Sequence, residues 1–335
     1  MKNSIVLTTI NKPNINIKKL TKLSKNNNIN FIVIGDLKTP KNFKLSYGLY
    51  FDIAKQKRLD FNFAKKCPFN SYARKNIGYL ISFKKGCETI IETDDDNYPK
   101  DNFLNFVELN HTVNEIKEIG WVNVYNKFLK KDIDIWPRGL PLDKIEILPK
   151  FKSSKINKNF FLKQGVCEGN PDLDAIYRIM NKKINIKFKD NYKFSLGKGF
   201  CPINSQNTIW SKKIFPLMYL PVTCTMRSTD IWRGIIALNI MQNDNLTALL
   251  FGTTMFQNRN VHDLLIDLKD EMPLYKNVNS AYHILKKLKL KKGEKNYLNN
   301  LFKSYQALVK NNIFEQKEIF YIKLWIKDFK KITLA

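Results

Sequence analysis

Glycine and proline are scarce in this chain, 13 and 12 residues in 335, which excludes collagen-like and linker-like architectures. The glycine-rich fingerprints GxGxxG and GxxxxGKS or GxxxxGKT are absent, so dinucleotide and P-loop folds lose their usual anion cradle. Cysteine is scarcer still. Cys67, Cys87, Cys167, Cys201 and Cys224 are widely spaced and form no CxxC pair, which leaves zinc-finger and thioredoxin-like readings without support. A chain of this length needs no disulfide staples, and a reduced compartment is the simplest fit. No stretch reaches about 18 apolar residues, and no signal-peptide cleavage pattern follows the short apolar start. The expectation is therefore a cytoplasmic protein, or one peripheral at a membrane face, with neither signal peptide nor transmembrane segment. Acidic residues are few, 30 against 57 Lys and Arg, for a formal charge of +27. Much of that charge is lysine interleaved with asparagine. A basic surface favours anionic partners without choosing among nucleotides, phosphorylated lipids, nucleic acid or a membrane. No recognisable motif for reading nucleic acid accompanies it, so no specific nucleic-acid partner is expected.

What is present is a folded core. Hydrophobic residues make up 44% and aromatics 13% of the chain, a load that disordered chains do not carry. The length suits one large α/β domain with an appendage, or two domains. Residues 4–10 read as a strand, 18–25 as a short helix and 29–34 as a second strand closed by Gly35 and Asp36. This is the opening of an open α/β sheet, whose ligands sit beyond the carboxyl ends of the strands. Asn70 and Ser71 offer a cap for a helix over 72–84, and Gly86 ends it. A brief strand, 89–91, then runs into Glu92-Thr93-Asp94-Asp95-Asp96-Asn97. After Pro99 the spacing of Phe103, Phe106, Val107 and Asn110 predicts a helix, which His111 would extend. The lysine-rich stretch 150–158 reads as a surface loop, 172–180 as a short helix and 229–240 as a helix. From about Asn277 onward the chain reads as basic amphipathic helices. The lysines at 286, 287, 289, 291 and 292 beside apolar positions suit an anionic membrane surface or a solvated helix face.

The acidic triplet is the chemical centre of the sequence. Asp94, Asp95 and Asp96 repel one another at the end of an apolar strand. In an extended chain Asp94 and Asp96 point the same way and Asp95 the opposite way. A hard divalent cation bound to phosphate oxygens would offset the repulsion. Magnesium and manganese both suit oxygen ligands, and a solvated turn is the plainer alternative. Arg74 and Lys75 begin the preceding helix, where they either face a diphosphate or serve as ordinary surface charge.

An ordered series of segments resembles a known family. VLTTINKP at 6–13, VIGDLKTP at 33–40, NSYARKNIGYL at 70–80 and ETDDDNYP at 92–99 carry the resemblance. WPRGLPLD at 136–143, GNPDLDAIYR at 169–178, INSQNTIW at 203–210, LPVTCTMRSTDIWRG at 220–234 and NRNVHD at 258–263 continue it. They are similar to the STELLO-type glycosyltransferases and, more distantly, to plant reversibly glycosylated proteins, which are UDP-arabinopyranose mutases. The resemblance covers about residues 4–275. It implies an α/β, GT-A-like nucleotide-sugar-binding sheet with helices on both faces over residues 1–275, and a basic helical C-terminal extension over 276–335.

On that resemblance Thr9 and Asp36 lie at strand ends around the nucleoside, with Arg74 and Lys75 near it or its phosphates. Asp94 and Asp96 match the metal motif, Asp95 lies beside the donor, and His262 resembles a late histidine completing the metal shell. Arg138 resembles an active-site arginine of the plant mutases that could pair with phosphate or a leaving group. Asp174 resembles a sugar or substrate contact. Asp230 stands where an acid precedes tryptophan in the relatives, and is either the base for an acceptor hydroxyl or a helix cap. The implied activity is a glycosyltransferase dependent on Mn2+ or Mg2+, moving a sugar from a nucleoside-diphosphate sugar to a glycan, lipid-linked or protein acceptor. The alternatives are a nucleotide-sugar mutase and a non-catalytic scaffold or partner-binding protein on the same fold.

Overall fold

The computed structural model describes residues 2–131, 133–181, 183–259 and 263–334. The chain opens with β1 (Asn3–Thr9), α1 (Ile15–Asn26), β2 (Asn30–Gly35) and β3 (Leu49–Phe51). Two short helices, α2 (Ile53–Arg58) and α3 (Asn62–Lys66), lead to α4 (Lys75–Lys84), then β4 (Thr89–Thr93) and β5 (Asn97–Pro99). The middle carries β6 (Asn110–Ile116), β7 (Gly120–Trp121), β8 (Phe151–Asn159), β9 (Leu162–Gly169), α5 (Ala175–Met180), β10 (Lys193–Ser195), β11 (Gly199–Phe200) and β12 (Asn207–Ser211). The last part holds α6 (Thr229–Asn243), β13 (Ala248–Gln257), α7 (Leu264–Lys286), α8 (Tyr297–Lys310) and α9 (Glu318–Thr333).

Among the described residues the large sheet has 11 strands, in the order β3-β2-β1-β4-β12-β9-β13-β10-β6-β8, with β5 added on β13. The quarter formed by β3, β2, β1 and β4 is parallel. Beyond it β12 runs antiparallel to both β4 and β9, so the whole is a mixed sheet. Both faces of the parallel part are covered, and its strands are near-continuous apolar runs for that reason. Ile5, Leu7, Phe31, Val33 and Ile91 pack on one face with Ile17 and Leu20 of α1. Val6, Ile32, Ile34 and Ile90 alternate onto the other face, against Ile77 and Leu80 of α4. A Cβ at Gly78 would lie 2.5 Å from Val6 Cγ1, so the missing side chain is what lets α4 approach β1.

The expected helix after Pro99 does not form. Residues 101–106 instead make successive three-residue turns, Phe103 N–H to Lys100 O and Asn105 N–H to Asn102 O, both 3.1 Å. Phe103 and Phe106 are buried under the sheet as helical spacing implied, but Asn110 and His111 belong to β6. Burial set the spacing there, not helical hydrogen bonding. The expected loop at 150–158 is the edge strand β8, paired antiparallel to β6. Its residues are half-buried or exposed, so no apolar alternation marked it, and its lysines suit an open edge.

The C-terminal helices are continuous with the body. Asp263 accepts from Leu265 and Ile266 N–H to cap α7, which runs unbroken across the expected division at 275/276. Trp325 of α9 packs among Phe83, Tyr219 and Phe329. Glu318 accepts from the Tyr219 hydroxyl and Thr223 N–H, and Asp328 from Asn62 and Phe63 N–H. Among the described residues no helix is long and apolar enough to cross a membrane, and all five cysteines are free.

Candidate active site

A cleft of about 350 Å³ opens beyond the carboxyl ends of β1, β2 and β4. Thr9 and Asn11 follow β1, Asp36 follows β2, and the 94–96 turn follows β4; Asp172, Asp230, Arg227 and Arg259 close the far end. The sequence pattern places ligand chemistry at strand ends, and the cleft brings Thr9, Asp36, Arg74, Asp94, Asp95, Asp96, Arg138 and Asp230 to one wall system. His262 lies outside the described residues.

The acidic triplet is a tight turn closed by Asn97 N–H on Asp94 O at 3.3 Å, rather than an extended run. Each carboxylate has different company. Asp94 Oδ1 accepts from Lys75 Nζ at 2.9 Å and from the Tyr72 hydroxyl at 2.7 Å. Asp95 Oδ2 accepts from Thr9 Oγ1 at 2.5 Å and Asn11 Nδ2 at 2.9 Å, while its carbonyl takes Asn14 and Asn16 from the start of α1. Asp95 thereby staples the ends of β1 and β4 together. Asp96 Oδ2 accepts from Gln257 Nε2 at 3.1 Å, but its buried Oδ1 has no hydrogen-bond partner. Burial, with Asp94 beside it, pushes the Asp96 carboxyl up to about 6.

That orphaned oxygen is the feature that suits a cation. Among the described residues no group of three or more His, Cys, Asp or Glu converges as a metal cage. Magnesium-type sites commonly use one or two carboxylates and draw their remaining ligands from substrate phosphates and water. Asp96, with Asp94 as second carboxylate, fits that sparse donor set.

Across the cleft Arg138 is the hub. Its Nε and Nη2 meet Asp172 at 2.9 and 2.7 Å, and its Nη1 and Nη2 meet Asp230 at 3.0 and 3.1 Å. Nη1 also donates to the Arg227 carbonyl. Burial works against the charge, but Asp172 and Asp230 together hold Arg138 well above its ordinary value. The expectation that Arg138 pairs with phosphate is therefore not met in this geometry: its donors are spent inside the protein. Asp230 is equally occupied. Its oxygens accept from Arg138 and Ile231 N–H on one side, and from Arg138, Ser205 N–H and Ser205 Oγ on the other. A carboxylate offers about four lone-pair sites, so none is left over for an acceptor proton. Nor is Asp230 the cap of α6, which begins after Ser228 without a side-chain cap.

Three further expectations change. Arg74 lines the cleft, but it binds Gln56 Oε1 and the carbonyls of Cys67 and Pro68, bracing the loop before α4. Lys75 sits behind the wall and serves Asp94. Asp174 is absent from the cleft lining; it caps α5 through Tyr177 N–H at 2.7 Å and accepts from Trp136 Nε1. Its neighbour Asp172, two residues earlier, is the one in the cleft. Asp36 accepts from Ser71 and Leu37 N–H, which ties the β2 end to the turn before α4.

Sequence reasoning missed Tyr72, Ser205, Gln257, Arg227 and Arg259. Tyr72 and Ser205 contact each other and link Asp94 to Asp230. Arg259 Nη2 lies 3.5 Å from Asp172 Oδ1, and Arg227 Nε donates to Glu271 of α7 at 3.0 Å. Arg259 stands in the same NRNVHD segment that drew notice for its histidine, and Arg227 stands three residues before Asp230.

Residues 227–335 match the family model described as STELLO glycosyltransferases. The match thus takes in α6, Arg259 and the C-terminal helices, beyond the 4–275 span of the earlier resemblance. The chain is 22% identical over 348 residues to "Probable glycosyltransferase STELLO2" of Arabidopsis thaliana, covering 97% of this chain and 44% of that protein. It is 26% identical over 251 residues to "Probable glycosyltransferase STELLO1" of the same plant, covering 69% of this chain and 32% of that protein. The chain therefore spans less than half the length of these curated relatives.

Proposed function

We propose that this chain, which is similar to the STELLO glycosyltransferases, moves a sugar from a nucleoside-diphosphate sugar to an acceptor with help from a divalent cation. The carrying observation is Asp96: a buried carboxylate oxygen without a partner, on a residue that lines a cleft at the carboxyl ends of parallel strands. In this reading the mixed sheet is a GT-A-type fold, its parallel quarter holding the nucleoside and its far strands framing the acceptor. The nucleoside lies between the β1 and β2 ends, where Thr9 and Asp36 stand.

Asp96, with Asp94, would hold the cation. When bound, Mn2+ or Mg2+ supplies Lewis-acid stabilisation to the negative charge that builds on the departing diphosphate. Lys75 and Tyr72 orient Asp94, and Asp95 fixes the turn, so the site is built before the donor arrives. On the acceptor side Arg138 holds Asp172 and Asp230 in place, giving Asp230 a positioning task rather than that of a free base.

A thermal-denaturation screen of nucleoside-diphosphate sugars, with and without manganese, tests the reading. One nucleotide class should raise the melting temperature, and more so with metal. Product assays with that donor then separate transfer from ring conversion of the donor alone, which would make the protein a mutase. No shift with any nucleotide sugar, with or without metal, rejects the proposal.

A further inference from the structure

The cleft lining contains a buried donor atom without a partner, opposite in kind to the unpartnered acceptors Asp96 Oδ1 and Gln257 Oε1. It is Arg259 Nε. The Arg259 side chain is only 6% exposed and lines the same cleft. Its one ion-pair contact among the described residues, Asp172 at 3.5 Å, is long, and Asp172 is already held by Nε and Nη2 of Arg138 at 2.9 and 2.7 Å. Leaving a guanidinium N–H buried and unmet is costly, and folded proteins rarely tolerate it without a reason.

Arg227 stands beside it. Its Nε and Nη2 are anchored on Glu271, with Asp267 at 3.6 Å from Nε. Its Nη1 has no hydrogen bond to a described residue. Burial, and then the Arg227 charge, holds Arg259 below its ordinary value, the mark of two guanidinium groups facing one space. Asp96 is near enough to act on Arg259 as well, yet no ion pair joins them.

An orphaned donor and an orphaned acceptor that share a cleft without meeting define their guest. It must accept from the arginine and, through a cation, satisfy the carboxylate. A diphosphate carrying a divalent ion does both with charge-assisted contacts, whereas the hydroxyls of a neutral sugar offer only uncharged ones. We propose that Arg259, backed by Arg227, is the direct protein contact to the donor's diphosphate, while Asp96 would serve its cation. This rests on the nucleotide-sugar reading and adds to it. The arginines hold the diphosphate even when the metal is removed, and α7, through Glu271, sets the position of Arg227.

Inorganic pyrophosphate is the probe, measured by calorimetry on the full chain in excess EDTA and again with manganese. Wild type should bind in EDTA. Arg259→Gln should weaken binding at least tenfold in both conditions. Arg259→Lys keeps the charge without the fork and should fall between, which keeps the test alive if the glutamine variant fails to fold. Asp96→Asn should lose only the enhancement due to manganese. Absent binding in EDTA, or unchanged binding by a folded Arg259→Gln protein, overturns the proposal. Arginine-dependent pyrophosphate binding with no nucleotide-sugar binding would keep the diphosphate contact and reject the transferase reading. Full donor affinity and transfer by Arg259→Gln would do the reverse.

Discussion

Lys75 Nζ lies 2.9 Å from Asp94 Oδ1, with the lysine side chain wholly buried and the carboxylate at the cleft wall. This pair sorts the acidic triplet into three roles. Asp94 is balanced by a lysine, Asp95 is spent on stapling β1 to β4, and of the three Asp96 alone keeps a buried oxygen without a partner. The three carboxylates are thus unequal in their surroundings, and Asp96 is the one whose buried oxygen is left for a ligand.

Removing the lysine strands that charge. Lys75→Met should destabilise the fold by about 3 kcal/mol, the lower end for breaking a buried pair, because Asp94 retains some solvent contact. Adding Asp94→Asn to that variant should recover part of the loss. Urea midpoints of wild type, both single variants and the double variant measure this; additive losses would mean that the pair contributes no coupling.

Asp96 carries the next expectation. Asp96→Ala should weaken manganese-supported binding of the donor or its nucleoside diphosphate at least tenfold, about 1.4 kcal/mol, in calorimetry. Stability should hold or rise, since the variant removes a buried carboxylate whose Oδ1 lacks a partner. Unchanged metal-dependent binding by the folded variant would remove Asp96 from the site.

The outer frame of the site was legible in the sequence because strand ends are. Apolar runs at 4–10 and 29–34, each closed by polar residues, place Thr9 and Asp36 at a sheet's carboxyl edge, and the structure puts them there. What local pattern cannot show is which charges neutralise each other across long chain separations. Arg138 meets Asp230 across 92 residues, and Lys75 meets Asp94 across 19. Read alone, each looked like a group waiting for substrate. Asp172 and Asp174 were confounded for a related reason: both precede a helix, and only packing decides which one caps it and which enters the cleft. The edge strand β8 escaped notice because neither of its faces is deeply buried.

Trp325 tests whether the C-terminal helices are part of the fold. It is fully buried, with its Nε1 donating to Pro216 O at 3.2 Å. Trp325→Ala should cost about 3–5 kcal/mol, and the loss should appear in one cooperative transition with the sheet. A separate early transition, leaving nucleotide binding intact, would mark the helices as an independent unit.

Lys163 gives a pH signature. Its Nζ donates to the Val107 and Glu108 carbonyls, both at 2.7 Å, and burial pulls it down to about 7, with Glu108 acting in the opposite sense. Between pH 7 and the ordinary lysine value the unfolded chain therefore holds a proton that the folded chain has released. Stability from this group must rise with pH across that window, by up to about 1.4 kcal/mol per pH unit. The difference in urea midpoint between wild type and Lys163→Met, followed from pH 7 to 9, should shift in favour of wild type. A flat difference would mean that the lysine stays charged in the fold.

Asp230 separates positioning from proton transfer. Its oxygens accept from Arg138, Ser205 and Ile231, so Asp230→Asn replaces one acceptor oxygen with an N–H group facing existing donors. A residue that acted only as a base would tolerate this with little loss of stability, while turnover fell roughly 10²–10⁴-fold. A positioning residue behaves differently. Asp230→Asn should lose about 2–3 kcal/mol of stability, because Arg138 keeps one carboxylate instead of two. Turnover and donor affinity should then fall together, since the Ser205–Tyr72 link carries the disturbance to Asp94. Arg138→Lys should reproduce that pattern, as an ammonium cannot span both Asp172 and Asp230 with a fork. The decisive readout is the pH–rate profile. With a positioning Asp230, the acidic limb should keep its midpoint in the Asp230→Asn protein while the plateau drops. Loss of the acidic limb, with stability and donor affinity preserved, would restore Asp230 as the base.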